Sequence, residues 1–475
     1  MTPDAPRHGR VLFDFSTSLR WSGPPVGIIR AEHELARFGL DHVAGFGPVA
    51  YDHDARAFRT VSPAYARLFL EADARLDLLG LIDPSKRHTI DRVPPRARSA
   101  VLWLLQLRRK ILQTLERRRL TTDDPAEAAR LERLQQRVMS KRHRKLLFGP
   151  DGRRRPFVPV DLVWQKPVAF TPDDVLVCAG AGWAFGDIGV LAERKRQDGF
   201  RLVCQCYDII PILFPQFYNA RDAAFRDYME AMFGLADLVV VNSEKVREDT
   251  IAHCRAKGIP LEEITVVPLG ADFSRWSEPR GGTLPSGLEP GGYALYVSTI
   301  EPRKNHRMLH GVWRRLVADG VVAANRFKLL LVGREGWQVD DLMAELADDT
   351  TTGGSLVHCA NLDDATMAAL YRHAAFCCYP SFYEGFGLPI LESFHFGKAV
   401  LASSGGSLPE VVRDFSPCLD PSDPEAWYQA LRRWITDPQA RRPYEERIAA
   451  SFEYRSWTDV AAAFYGLVEA QRVEP

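Results

Sequence analysis

Neither sign of charge dominates this chain. Lys plus Arg number 61 and Asp plus Glu number 61, so no overall field gathers nucleic acid, which is not an expected partner. No apolar run approaches the about 18 residues that a membrane-spanning helix requires. Residues 1–10 carry charge and proline where a secretory signal would carry an apolar stretch. The expected location is therefore the cytoplasm. Eight cysteines are present, yet none form a Cys-x-x-Cys pair and most sit inside apolar runs. That argues against a disulfide framework or a zinc site and for buried, reduced thiols. What the chain has in quantity is apolar residues, 46% of 475 positions, enough for about two or three domains with large cores.

Residues 10–16 read as a buried strand ending in polar residues. A loop with Gly23, Pro24, Pro25 and Gly27 follows, then a helical pattern over 28–38 with Arg30 and Glu32 near its start. Asp52-His53-Asp54 reads as a solvated polar turn. Residues 92–155 hold nineteen Lys and Arg against six Asp and Glu. Apolar positions at Val101, Leu104, Leu105, Ile111, Leu112 and Leu115, then at Leu131, Leu134 and Val138, suggest two helices. Together these form a basic helical hairpin set into the first domain, either as a solvated insertion or as a docking face for anionic lipid or a lipid-diphosphate acceptor.

Residues 174–186 run from a strand into the turn Gly180-Ala181-Gly182-Trp183-Ala184-Phe185-Gly186. Three residues rather than two separate its last two glycines, which departs from the dinucleotide fingerprint, so no nicotinamide cofactor is expected. Tyr207 and Asp208 follow the strand at 201–206, at the carboxyl end where open α/β sheets place ligands. Residues 276–292, rich in proline and glycine, read as a linker between a first domain over 1–275 and a second over 293–475.

The second domain opens with a strand over 293–297. Arg303 and Lys304 stand between that strand and a helix from about His306, for which Asn305 reads as the N-cap. Two cations beside free backbone N–H groups suit a diphosphate, since Arg can fork onto two oxygens and Lys adds a point charge. A short apolar strand over 374–379 then leads into Pro380-Ser381-Phe382-Tyr383 and a glycine turn flanked by two carboxylates. Glu384 falls in the loop and Glu392 in the first turn of the next helix, with Pro389 near its first position. Gly385 and Gly387 let the backbone approach a ligand, and the helix N-terminus favours an anion. A contact with the helix dipole is explanation enough for Glu392 alone. The pair around the turn points to a bound group.

The string Glu384-Gly385-Phe386-Gly387-Leu388-Pro389-Ile390-Leu391-Glu392 resembles the Glu-x7-Glu motif of the retaining glycosyltransferases of the GT-B fold, family 4. Glu301-Pro302-Arg303-Lys304-Asn305 is similar to a second motif of that family. The resemblance is good over 174–410, loose over the N-terminal loop and absent over the basic hairpin. It implies an α/β architecture of the GT-B type: two Rossmann-like α/β/α domains facing across a cleft, with the last helix, 461–469, crossing back onto the first. It also implies a donor site made of Ser298, Arg303, Lys304, Gly333, Leu362, Glu384, Gly385, Phe386, Gly387, Leu388 and Glu392. There Glu384 would meet the sugar, Glu392 the ribose, and Arg303 and Lys304 the leaving diphosphate.

On the acceptor side the resemblance implies Gly23, Gly27, Arg30, Gly182, Trp183, Tyr207 and Asp208. Tyr207 replaces a histidine of the family, leaving Asp208 the better candidate for an acceptor-hydroxyl contact, and Ser298 stands where the family often has Gly. The implied activity is retaining transfer of a mannosyl or rhamnosyl type of sugar, without metal or other cofactor and without a covalent nucleophile. The implied partners are a nucleotide-diphosphate sugar, a saccharide or lipid-diphosphate-linked acceptor from bacterial surface polysaccharide or glycolipid synthesis, and peripherally an anionic membrane. Two other classes stay open: a GT-B nucleotide-sugar epimerase or phosphorylase, and a non-catalytic scaffold that kept the fold.

Overall fold

The computed structural model describes residues 9–21, 27–71, 75–76, 95–139, 157–218, 223–273, 283–347 and 349–472. Gly23, the cations between 140 and 155 and residues 276–282 of the expected linker lie outside them. The chain divides into two compact units, 1–205 with 235–237 and 465–475, and 206–234 with 238–464.

In the first unit the strands are β1 (Val11–Asp14), β2 (Phe46–Asp52), β3 (Ala57–Val61), β4 (Arg75–Leu76), β5 (Phe157–Val158), β6 (Trp164–Pro167), β7 (Val175–Cys178) and β8 (Arg201–Cys206). β4 and β5 pair with each other, and the others lie in the order β8-β7-β1-β2-β3-β6. β8, β7, β1 and β2 are parallel, whereas β3 and β6 join antiparallel. Every residue of β1 and β7 is buried. Strands covered on both faces read as continuous apolar runs, which is why both were visible in the sequence. Asp52-His53-Asp54 sits at the β2–β3 turn, where Asp52 accepts from Asp54 N at 3.1 Å and pairs with Arg59 at 2.7 Å. The last helix, Trp457–Ala470, ends in this unit: Tyr465 donates its hydroxyl to Leu35 O at 3.0 Å and stacks on Phe38.

Helices Pro95–Thr121 and Pro125–Val138 form the hairpin. Asp124 caps the second helix by accepting from Ala126 N at 2.9 Å, ahead of a proline suited to the helix start. Leu112 and Leu131 are buried together with a polar set in which Glu116 accepts from Arg119 and from Gln135 at 2.6 Å. Ile111 and Leu134, expected among the inward apolar positions, are instead 41% and 38% exposed. Glu116 and Gln135 take inward places because they satisfy each other and Arg119, leaving those two apolar side chains outward.

The second unit contains β9 (Leu238–Val241) paired in parallel with β10 (Ile264–Val266). Its larger sheet comprises β11 (Tyr293–Val297), β12 (Lys328–Val332), β13 (Leu356–Cys359), β14 (Phe376–Tyr379), β15 (Val400–Ser403) and β16 (Cys418–Leu419), in the order β13-β12-β11-β14-β15-β16. All five pairings are parallel. Trp313, Trp427, Tyr371 and Phe376 are fully buried against it, each removing from water an apolar surface worth about 1.5–3 kcal/mol or more. The eight cysteines are all free thiols, six of them buried. Among the described residues no helix is long and apolar enough to cross a membrane.

Candidate active site

Strands β11 and β14 are parallel neighbours, with Ala294 opposite Phe376, so the loops leaving their carboxyl ends emerge side by side. The first loop carries Ser298, Glu301, Arg303 and Lys304, the last two on a short 3-10 turn, Pro302–Lys304. The second carries Ser381, Tyr383 and Glu384. A backbone hydrogen bond from Phe382 N to Arg303 O at 2.8 Å ties the loops together, and Tyr296 on β11 donates to Lys304 O at 2.7 Å.

The charged side chains then converge. Arg303 Nη1 donates to Glu384 Oε2 at 2.8 Å and to Tyr383 O at 2.6 Å, and Nη2 donates to Glu301 Oε1 at 2.7 Å. Lys304 Nζ donates to Glu384 Oε1 at 2.5 Å. Two cations and two carboxylates, all at most 17% exposed, thus form one neutral cluster. Burial alone would raise the Glu384 pKa, but Arg303 and Lys304 outweigh it and hold the carboxyl down at about 2. Burial and the neighbouring Arg303 lower the Lys304 pKa. One donor stays unspent: among the described residues, Arg303 Nε is buried with no hydrogen-bond partner. Such a group costs about 1–3 kcal/mol unless something accepts from it, which points to an anion as the missing acceptor.

Glycines let the surrounding backbone close on this cluster. A side chain at Gly385 would place its Cβ 2.7 Å from Tyr207 O and 2.8 Å from Asp208 Cβ. The glycine turn therefore seats directly on the Tyr207-Asp208 segment. Asp208 lies close enough to feel Arg303, Lys304 and Glu384, although burial dominates and raises its pKa. Gly406, at φ +66°, faces Glu384 O at 2.3 Å from the Cβ it lacks, and Ser407 N donates to that carbonyl at 2.9 Å. At Gly333 a Cβ would lie 1.8 Å from Ser298 O, so the β11 and β12 ends are in close contact as well.

Glu392 lies in the helix Leu388–His395. It was expected in the first turn but is the fifth helical residue, because the helix starts at Leu388 with Pro389 second. Its Oε2 accepts from the Tyr371 hydroxyl at 2.8 Å. Phe386, Leu388 and Leu362 are half-buried, and Phe386 and Leu362 pack on the core of this unit. The reading of Asn305 as an N-cap is corrected: its backbone is left-handed, φ 60°, and its side chain instead donates to Pro380 O at 3.1 Å and Pro421 O at 2.8 Å. Asn tolerates that backbone better than other residues with a Cβ, and its amide braces the two loops.

In the first unit, Gly27 precedes the helix Ile28–His42 at φ 53°, and Arg30 lies half-buried in that helix. Gly182 opens the short helix Gly182–Phe185 after β7, with Trp183 following it. Thr17, after β1, accepts from Ala181 N at 2.8 Å, so the loops after β1 and β7 meet. Between them Glu32 is fully buried: Oε1 accepts from Ser18 Oγ at 2.9 Å, and Thr17 lies near enough to stabilise the carboxylate as well. Burial raises its pKa to about 8.

Sequence reasoning missed Glu301, Tyr371 and Glu32 as members of these sites. Glu301 precedes a recognised pair and carried no separate signal, Tyr371 is 21 residues from Glu392, and Glu32 looked like an ordinary helical acid. Among the described residues no group of three or more His, Cys, Asp or Glu side chains is arranged to hold a metal ion.

Comparison with known proteins bears on the unit that holds the cluster. Residues 287–450 match the family model described as "Glycosyl transferases group 1". The O-antigen chain mannosyltransferase B of Escherichia coli is 38% identical over 166 residues, 35% of this chain and 42% of that protein. The serotype-specific mannosyltransferase WbdA of Escherichia coli is 27% identical over 277 residues, 56% of this chain and 32% of that protein. The chain thus spans less than half the length of these curated relatives. Among solved structures, Anabaena HepE in complex with UDP superposes with a TM-score of 0.55 at 15% identity, over 97% of this chain and 100% of that one. That likeness gives the chain the GT-B fold. Residues 287–450, with the Arg303, Lys304 and Glu384 cluster at their centre, are a glycosyl transferases group 1 domain.

Proposed function

We propose that the chain is a retaining glycosyltransferase that moves a sugar of the mannosyl or rhamnosyl type from a nucleotide-diphosphate sugar to a hydroxyl of a saccharide or lipid-diphosphate-linked acceptor. It acts in bacterial surface polysaccharide or glycolipid synthesis, in the cytoplasm at the inner face of the membrane, and without a metal or other cofactor. The observation that carries this reading is the neutral cluster of Arg303, Lys304, Glu301 and Glu384 with Arg303 Nε left over. The leaving diphosphate accepts from Arg303 Nε and shares Lys304, so the negative charge that builds on it meets donors already in place. Electrostatic stabilisation of that kind is usually the largest catalytic contribution.

In the reaction the bond from the anomeric carbon to the diphosphate oxygen breaks, and its electron pair stays on the phosphate. The acceptor oxygen bonds to the same face of the anomeric carbon, and its proton passes to the departing phosphate oxygen. Glu384, ionised and fixed by two cations, accepts from the sugar hydroxyls. Glu392, held by Tyr371, accepts from the ribose. Asp208 meets the acceptor hydroxyl, a role its closeness to Arg303, Lys304 and Glu384 supports. The names of the relatives support mannosyl transfer, and the UDP in the HepE structure supports a nucleotide-diphosphate donor.

The test is product analysis by NMR after incubation with GDP-mannose or dTDP-rhamnose and a mannose-terminated acceptor, with and without EDTA. The expected product keeps the donor's anomeric configuration and forms equally in EDTA. An inverted linkage would remove the retaining mechanism, and loss of turnover in EDTA would remove metal independence.

A further inference from the structure

A second donor without an acceptor stands beside the charged cluster. Past Asp208 the chain runs through the short helix Ile210–Leu213 and the 3-10 turn Pro215–Phe217, and Pro211 and Pro215 fix two of its φ angles. Two of its aromatic rings pack on the loop that carries Glu384: Phe214 lies 5.1 Å from Tyr383, and Phe217 stacks on Phe382 at 5.4 Å, centroid to centroid. The next ring, Tyr218, leans on Trp337 at 5.7 Å. Trp337, in the loop after β12, also donates its Nε1 to Phe217 O at 2.7 Å, so the backbone entering Tyr218 is tied down. Tyr218 is half-buried, and among the described residues its hydroxyl makes no hydrogen bond. Burial raises its pKa, and Arg303, Asp208, Glu301 and Glu384 all lie near enough to act on it. The phenol is therefore a neutral donor at ordinary pH.

We propose that the Tyr218 hydroxyl is a further substrate-binding group, donating to the second phosphate of the nucleotide diphosphate beside Arg303 Nε, and that Trp337 is the positioning residue that holds it there. Arg303 and Lys304 are already matched by Glu301 and Glu384. A neutral donor adds to anion binding without another charge to bury, which would be costly at such a site. Two donors that lack acceptors in the same place call for an acceptor with several lone pairs, and a phosphate supplies them. A ring that only walled the site would not need a hydroxyl, and partly burying one without a partner carries a cost. The inference rests on the donor-site reading above and adds to it a residue from outside the charged motifs. Its readout is nucleotide binding and needs no turnover.

The experiment is isothermal titration calorimetry of the full chain with whichever of GDP, UDP, dTDP and ADP binds the wild type, and with the matching monophosphate, which lacks the second phosphate. Tyr218→Phe keeps the ring and removes the donor. The expected result is about tenfold weaker binding of the diphosphate, unchanged binding of the monophosphate and an unchanged melting midpoint without ligand. Trp337→Phe keeps a ring and removes the tie to Phe217, so diphosphate binding should weaken severalfold. The double variant should bind no worse than Tyr218→Phe, because both changes act through one contact. If Trp337→Phe folds poorly, Tyr218→Phe alone decides. Wild-type diphosphate binding by Tyr218→Phe would overturn the proposal, as would equal weakening of the monophosphate and the diphosphate. Additive losses in the double variant would remove the role given to Trp337. If none of the four nucleotides bound the wild type, the donor-site reading would fall and this inference with it, whereas intact wild-type binding matched by Tyr218→Phe removes the inference alone.

Discussion

Arg303 and Glu384 lie 81 residues apart in the chain, yet Nη1 of one sits 2.8 Å from Oε2 of the other. Glu301 on the far side of the guanidinium and Lys304 on the other oxygen of Glu384 complete the balance. Each charge in the cluster is tolerable only because the others are there.

Removing one member should therefore cost stability as well as activity. Glu384→Gln leaves Lys304 without its carboxylate and Arg303 with Glu301 alone. Breaking a buried pair from one side typically costs about 3–5 kcal/mol. The expected result is a clearly lowered denaturation midpoint and a loss of turnover of about 100-fold or more, since a positioning contact and a charge partner vanish together. Urea melts and initial rates on the same preparation check both.

The same cluster sets an acid limit. Glu384 titrates at about 2 in the folded chain against 4.5 ordinarily. Its stabilisation is present in full above about pH 4.5 and is lost as pH falls towards 2, a difference of about 3 kcal/mol. Melting temperatures between pH 6 and pH 3 should fall for the wild type, and less steeply for Glu384→Gln.

Glu32 predicts the opposite sign. Its folded pKa is raised to about 8, so the stability tied to its bound proton is full below about pH 4.5 and lost as pH rises through 8. Glu32→Gln keeps the shape and cannot ionise. Between pH 6 and pH 9 the wild type should lose stability that the variant keeps, read by thermal melts in matched buffers. Parallel slopes would mean that the Glu32 carboxyl is not held protonated in the folded chain over this range.

Gly385 should not accept even a methyl group. With its Cβ position 2.7 Å from Tyr207 O and 2.8 Å from Asp208 Cβ, Gly385→Ala must push the glycine turn off that segment. We expect turnover to fall at least tenfold, with a stability loss of about 1–3 kcal/mol from overpacking. A variant with wild-type kinetics would show that the two segments need not touch during catalysis.

Tyr371→Phe removes one hydrogen bond from Glu392 and leaves the packing alone. The expected outcome is a severalfold higher KM for the nucleotide sugar with kcat nearly unchanged, because the ribose contact serves ground state and transition state alike.

What could be read in advance followed from local signals. β11, β14 and β15 are short apolar runs buried on both faces, and the glycines around Glu384 marked a turn pressed against something. Relations across the chain were not legible. Glu301 opened a recognised motif, but nothing in the sequence showed that it would hold one side of the Arg303 guanidinium while Glu384 holds the other. Asn305 carries the signature of a cap, yet its left-handed backbone sends the amide to two loop carbonyls. In the hairpin, helical periodicity could not reveal that Glu116 and Gln135 take inward places and leave Ile111 and Leu134 outside, because mutual hydrogen bonding decides it.

The most direct test of the donor site is a thermal-shift panel of GDP, UDP, dTDP and ADP, in the presence of EDTA, on the wild type and on Arg303→Ala/Lys304→Ala. The account predicts that at least one nucleotide raises the wild-type midpoint, by an increment that grows with concentration as RT ln(1 + [L]/Kd), and that the double variant, still folded, shows no such rise. A nucleotide that stabilises both proteins equally, or none that stabilises the wild type, would contradict it.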